Sequence, residues 1–182
     1  PLLGAVLIAA FARERPLARA ALACGLLLST AYLGWSWIAK RQVEAQLDSA
    51  LQDAGHPRAP HFSVPTPFNT WVWRIVARTP DGHLEASTTP FRAAPPLRAR
   101  SDDAELGRWA RVNAPAARRL DWFAHGFLRA EARGDELVLE DLRMGADPDY
   151  FFRFVVAERR GDGWEAVPAR RLDRPELTRE RL

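Results

Sequence analysis

The side chains best suited to chemistry are spread thinly along this chain. Its four histidines are His56, His61, His83 and His125. His56 and His61 stand five apart in a proline-rich stretch, a spacing that neither a helix nor a strand brings to one side. A zinc centre needs three or four convergent ligands, so these histidines alone do not predict one. His83 follows a turn and reads as a solvated residue. His125 closes a helical stretch, where the dipole favours an imidazolium. The single cysteine, Cys24, falls inside an apolar run, where a thiolate is disfavoured, and one cysteine excludes a disulfide framework. Ser29, Ser63 and Ser87 lie in an apolar run, a proline-rich segment and a strand pattern, and none of them occupies a G-x-S-x-G elbow. No glycine-rich phosphate loop is present. Glu140 and Asp141 are adjacent, so a regular strand sends them to opposite faces, a poor arrangement for an acid–base pair. Arg133-Gly134-Asp135 reads as a hairpin turn rather than an adhesion motif.

The elements that must position these residues fall into two unlike parts. Charged residues make up 27% of the chain and apolar ones 47%, which excludes a disordered or collagen-like polymer. Residues 20–39 are 20 consecutive uncharged positions, enough at about 1.5 Å per residue to cross a hydrocarbon core of about 30 Å. Arg19 precedes the run, Lys40 and Arg41 close it, and Tyr32, Trp35 and Trp37 gather at its end as an interfacial belt does. This predicts a transmembrane helix over 17–39. Residues 1–12 form a second apolar stretch, read as the end of an earlier, truncated membrane helix joined through 13–16; a signal peptide has one such run. Ala21, Gly25 and Ser29 recur every fourth residue, a spacing that lets another helix approach closely. Arg13, Arg15 and Arg19 in and beside the short loop place that loop in the cytoplasm and the following domain outside.

Residues 40–55 predict an amphipathic connector helix, with Val43, Leu47, Ala50 and Leu51 on one side and Gly55 as its C-cap. Residues 56–68 hold four prolines and predict an extended linker. A domain follows over 69–170, with a charged tail at 171–182. Within it, 71–78 alternates Trp71, Trp73 and Ile75 against Val72, Arg74 and Val76. Thr79-Pro80-Asp81-Gly82 supplies a turn, and 83–89 returns as a partner strand. A second hairpin is predicted from 126–132 and 136–143, with further strands at 150–158 and 164–167. Two helices interrupt the strands, one capped by Asp102 and the other by Asn113 with Pro115 in its first turn. The fold class expected is a membrane α-helix (the end of one span plus one full span) followed by a small α+β domain with an antiparallel sheet and two helices. From residue 61 onward 20 arginines oppose 19 acids, a difference of +1, and no basic stripe runs beside stacked aromatics. Direct nucleic-acid binding is not expected.

Five segments carry a resemblance: YLGWSWIAK at 32–40, PTPFNTWVWR at 65–74, WFAHGF at 122–127, DLRMG at 141–145 and FFRFVV at 151–156. Together they resemble the LexA-binding, inner-membrane-associated metal-dependent hydrolases, over roughly residues 17–158, with P-T-P-F-N-T-x-x-W-R the most specific piece. Ala124-His125 departs from the serine–basic pair the family shows before the glycine. The resemblance implies a multi-pass protein of the bacterial inner membrane, partnered by the bilayer and by its own upstream helices, with the C-terminal domain on the periplasmic side. It implies phospholipase-like hydrolysis with a divalent metal held by histidines and aspartates of the N-terminal region. No residue of this chain inherits a ligand role from it, and this chain alone is expected to be inactive. The polar residues singled out are Asn69, Arg74, Asp141 and Arg143. An arginine fork grips phosphate; Arg74 and Asp141 instead suit a structural ion pair between neighbouring strands. The other class of function is a non-enzymatic, membrane-anchored sensor or assembly domain.

Overall fold

The structure is a computed structural model describing residues 2–11, 15–67, 69–93, 95–147 and 149–173. Phe68, Arg13 and Glu14 of the short loop, and most of the charged tail lie outside the described residues. Helix α1 (Leu2–Phe11) packs against helix α2 (Arg15–Asp53). The 39 residues of α2 run unbroken, and the expected connector is its second half, continuous with the apolar first half and lying on the domain. No proline or glycine interrupts residues 35–53, which leaves the chain no reason to bend there. The first half is long and apolar enough to cross a membrane. Leu22, Leu26, Leu27, Leu28, Leu33 and Ile38 are uncovered, whereas Gly25 is buried and Ala21 and Ser29 are half-buried. In the second half Ala39, Val43, Leu47 and Leu51 recur every four residues and are at most 1% exposed. Gly55, at φ 78°, ends the helix. Its N–H donates to Gln52 O and that of His56 to Leu51 O, at 3.0 and 2.8 Å, the double bond of a Schellman cap.

One four-stranded antiparallel sheet, A, orders β1 (His61–Pro65), β2 (Trp73–Thr79), β3 (Gly82–Thr88) and β4 (Arg98–Ser101) in sequence. Residues 61–65, expected in a linker, are its edge strand: Pro65 stands at the strand's end and Pro60 just before it, where a missing donor costs little. The β2–β3 hairpin turns on Pro80 and Asp81, with Thr79 opposite Gly82. A Cβ on Gly82 would come within 2.0 Å of Arg100 O, so only glycine lets β4 close against β3. Trp73, Ile75, Ala77 and Leu84 form a core with the second half of α2. Strand β2 begins at Trp73, so Trp71 lies in a bend and is 57% exposed rather than sharing the buried face.

The chain then leaves sheet A through α3 (Ala104–Asn113) and α4 (Pro115–Phe123). The α3 cap is Asp103, whose Oδ1 accepts from Leu106 N at 2.9 Å, rather than Asp102. Residue 114, not Asn113, stands at the α4 cap position, with Pro115 in the first turn. His125, at φ 52°, lies just past α4 and turns the chain. Strands β5 (Leu128–Arg133), β6 (Glu136–Asp141), β9 (Arg153–Arg160) and β10 (Gly163–Arg171) build a second antiparallel sheet, B, ordered β10-β9-β6-β5. The chain between β6 and β9 forms a separate two-stranded ribbon of β7 (Gly145–Ala146) and β8 (Asp149–Tyr150). The single sheet expected is thus two sheets and a ribbon. The helix pair carries the chain off the edge of sheet A, and Asp103 N donates to Ala130 O of β5, tying α3 to sheet B instead. Sheet B buries Leu137, Leu139 and Val156 against Ala110, Ala114 and Ala117 of the helix pair and the turn between them. Val76, Phe127, Leu142 and Tyr150, with Phe62, join the two halves.

Candidate functional site

Asn69 organises the bend between β1 and β2. Its Oδ1 accepts from the N–H groups of Trp71 and Val72 at 3.0 and 2.9 Å, and its Nδ2 donates to Thr66 Oγ1 at 2.6 Å. A short amide side chain closing its own backbone is what such turns require. The bend presents Thr70 and Trp71 to α2. Trp35 Nε1 donates to Thr70 Oγ1 at 3.1 Å, and the Trp35 ring centroid lies 5.1 Å from that of Trp71 and 5.7 Å from that of Phe91. Gln46 adds a polar clamp one face further along, donating to the carbonyls of Thr89 and Pro90 and accepting from Thr88 Oγ1. Trp35 lies close to the end of the uncovered apolar stretch, which runs on to Ile38. Trp71 and Phe91 remain 57% and 62% exposed.

Arg74 and Asp141 are not joined. Arg74 is buried and its Nε donates to Glu85 Oε1 at 2.5 Å, while Nη1 donates to Leu142 O at 2.7 Å. Opposite Arg74 in the ladder stands Ser87, and Glu85 is its same-face neighbour two residues along, the diagonal partner a long cation reaches. Tyr150 lies under the guanidinium at 5.9 Å, and burial pushes its phenol well above the usual range. Arg74 therefore staples sheet A to the turn after β6. Asp141 is held instead by Arg143: its Oδ1 accepts from Arg143 N and Nε at 2.9 and 3.0 Å, and Oδ2 from Nη2 at 2.8 Å. That hydrogen-bonded pairing raises the Arg143 pKa further. Arg143 also covers the Phe123 ring at 5.1 Å. A two-residue separation across a tight turn explains why this pair wins over the long-range one.

His83 is fully buried, not solvated. Its Nδ1 is 2.9 Å from Asp102 Oδ1, and Arg78 donates to the other oxygen of the same carboxylate. Arg78 and His83 are register partners across the hairpin, and Asp102, one residue beyond β4, reaches both. Glu140 faces away from Asp141 and meets Arg133 at 2.7 Å and Arg129 at 3.5 Å. Burial pushes its carboxyl above the ordinary 4.5, against the opposing pull of Arg133 and Arg129. Among the described residues no three His, Cys, Asp or Glu side chains gather as a metal-binding group.

Sequence reasoning missed Glu85 and Tyr150 as partners of Arg74. The hairpin register was a sufficient signal for Glu85: a two-residue turn at Pro80-Asp81 fixes every pair of β2 with β3. Tyr150 is reached only through the tertiary packing of the β7–β8 ribbon. No family model, curated protein or solved structure matches the chain.

Proposed function

We propose that this chain is the C-terminal part of an inner-membrane, metal-dependent hydrolase whose metal centre lies in other helices of the same protein. In this reading α2 crosses the bacterial inner membrane and the α+β domain stands on its outer, periplasmic side. The domain fixes its own position over the bilayer rather than trailing on a tether, and it completes the site from above. One observation supports the fixed placement of the domain: the uncovered apolar helix continues without a break into the core of sheet A, clamped by Trp35, Thr70 and Trp71; the hydrolase part of the reading rests on the resemblance carried by the five segments.

The test is a lipid-hydrolysis assay on the protein with all its upstream helices, reconstituted in vesicles of bacterial phospholipid. Turnover that stops with a chelator and returns with a divalent metal is expected, with the 182-residue chain alone inactive. No metal-dependent turnover would exclude the hydrolase and leave a membrane-anchored assembly domain. The anchor is tested apart from the chemistry. Carbonate extraction of membranes should leave the chain in the pellet, and recovery in the supernatant would remove the span.

A further inference from the structure

On the face of sheet A turned away from α2, alternation brings Arg74, Glu85 and Ser87 to one side. There they line a cleft of about 360 Å³ with Arg98, Arg100 and Asp147, a volume in the range of small-molecule sites. Arg98 and Arg100 stand two apart on β4 and so share a face. Three cations thus meet two carboxylates, and both carboxylates are already engaged. Glu85 is bound by Arg74 at 2.5 Å, and Asp147 is shared between Arg100 at 3.2 Å and Arg129 at 3.3 Å. What is left over is donor capacity. Arg98 is exposed and makes no ion pair among the described residues. Among the described residues the buried Nη2 of Arg74 and Nε of Arg100 have no hydrogen-bond partner, a condition that costs free energy unless an acceptor arrives. Guanidinium groups arranged this way offer several forked donors at once, which suits the three outer oxygens of a phosphate.

We propose that this cleft binds a phosphate ester, gripped by Arg98 and Arg100 at its mouth and by Arg74 on its wall. The cleft is larger than one inorganic ion requires, which favours an esterified phosphate. Its place in the fold allows two sources. Glu85 lies three residues along β3 from Thr88, about 10 Å at strand rise, and Thr88 is tied to α2 through Gln46. The ester is therefore either a lipid headgroup or a soluble metabolite.

The experiment titrates glycerol 3-phosphate into the full chain by calorimetry, in detergent and in nanodiscs of phosphatidylcholine with or without phosphatidylglycerol. Saturable binding in detergent is expected. Arg98→Glu, at an exposed position, should weaken it at least about tenfold, the scale of one hydrogen bond to a charged group. Arg119→Glu, an exposed arginine on α4, should change it less than about twofold. Suppression of binding in either nanodisc relative to detergent identifies a lipid headgroup as the occupant; equal binding in all three identifies a soluble ester. No saturable binding, or equal weakening by both variants at unchanged melting temperature, overturns the site. Neither result touches the anchoring or the hydrolase reading, which do not use Arg98.

Discussion

Sheet A buries Trp73, Ile75, Ala77 and Leu84 beneath the second half of a helix whose first half is uncovered leucine. Sheet B buries Leu137, Leu139 and Val156 beneath α3 and α4, which lie in the stretch of chain immediately before it. Both are four-stranded and antiparallel, and both need one face covered, because a sheet that is apolar on one face must bury it against another element. Sheet B brings its own cover from nearby in sequence. Sheet A borrows its cover from the apolar helix, so its stability and the position of that helix are one quantity. The half nearest the uncovered helix is the half that cannot be separated from it.

The largest effect expected is therefore from removing the cover. A chain starting at residue 56 loses the burial of Val43, Leu47 and Leu51, about 1.5–3 kcal/mol each, against a typical total domain stability of about 5–15 kcal/mol. Hydrogen exchange should show β2 and β3 unprotected while β5, β6 and β9 remain slow. Equal protection of both sheets would break the comparison. Next in size, Trp73→Ala in the full chain should cost about 3–5 kcal/mol in a denaturant melt, as loss of a large buried aromatic does. Arg78→Ala should cost about 1–3 kcal/mol, since it strips one donor from the buried Asp102 carboxylate.

A subtler effect belongs to sheet B. Glu140 is buried with its carboxyl raised above 4.5, so the folded state holds its proton more tightly than the unfolded state does. The stability from that proton is fully present below the unfolded value, near 4.3, and is lost as pH rises through the higher folded value. Glu140→Gln, which cannot ionise, should gain on the wild type as pH increases from about 4 to about 7. Melts at a series of pH values check the slope. A variant that loses ground with rising pH would mean that Arg129 and Arg133 outweigh the cost of burial. The smallest effect is at Trp122 on α4, which is 79% exposed. Trp122→Ala should stay within about 0.5 kcal/mol, which sharpens the contrast with Trp73: the same residue type, deciding in one half and idle in the other.

The two halves also differed in how far the sequence exposed them. The apolar run, its basic and aromatic borders, the i, i+4 row from Ala39 to Leu51 and both hairpins follow from periodicity and turn residues, which act over a few positions. The turn role of Asn69 is of the same local kind. What stayed hidden depends on longer reach. The strand at 61–65 was masked by its prolines, which mark an edge strand as readily as a linker. The split into two sheets depends on which edge β5 finds after two helices, and no local pattern encodes that choice. Arg74 with Asp141 was plausible by charge alone, yet each had a nearer partner, Glu85 through register and Arg143 through a tight turn. His83 looked solvated because a turn precedes it, whereas Asp102 arrives from 19 residues away to bury it.

The unbroken course of α2 has a mechanical meaning. Its 39 residues make a rod of about 58 Å, with the domain riveted along the upper part through Leu47, Gln46 and Trp35. In the reading proposed above, the lower part must match the thickness of the bilayer, and a helix adjusts to a thicker or thinner membrane by changing its tilt. A tilt of about 10° swings the top of such a rod sideways by roughly 10 Å. With no hinge between rod and rivet, the domain leans by the same angle. Lipid composition then becomes a steering input: the same polypeptide holds its Arg-lined cleft nearer to or farther from the bilayer according to the membrane in which it is embedded.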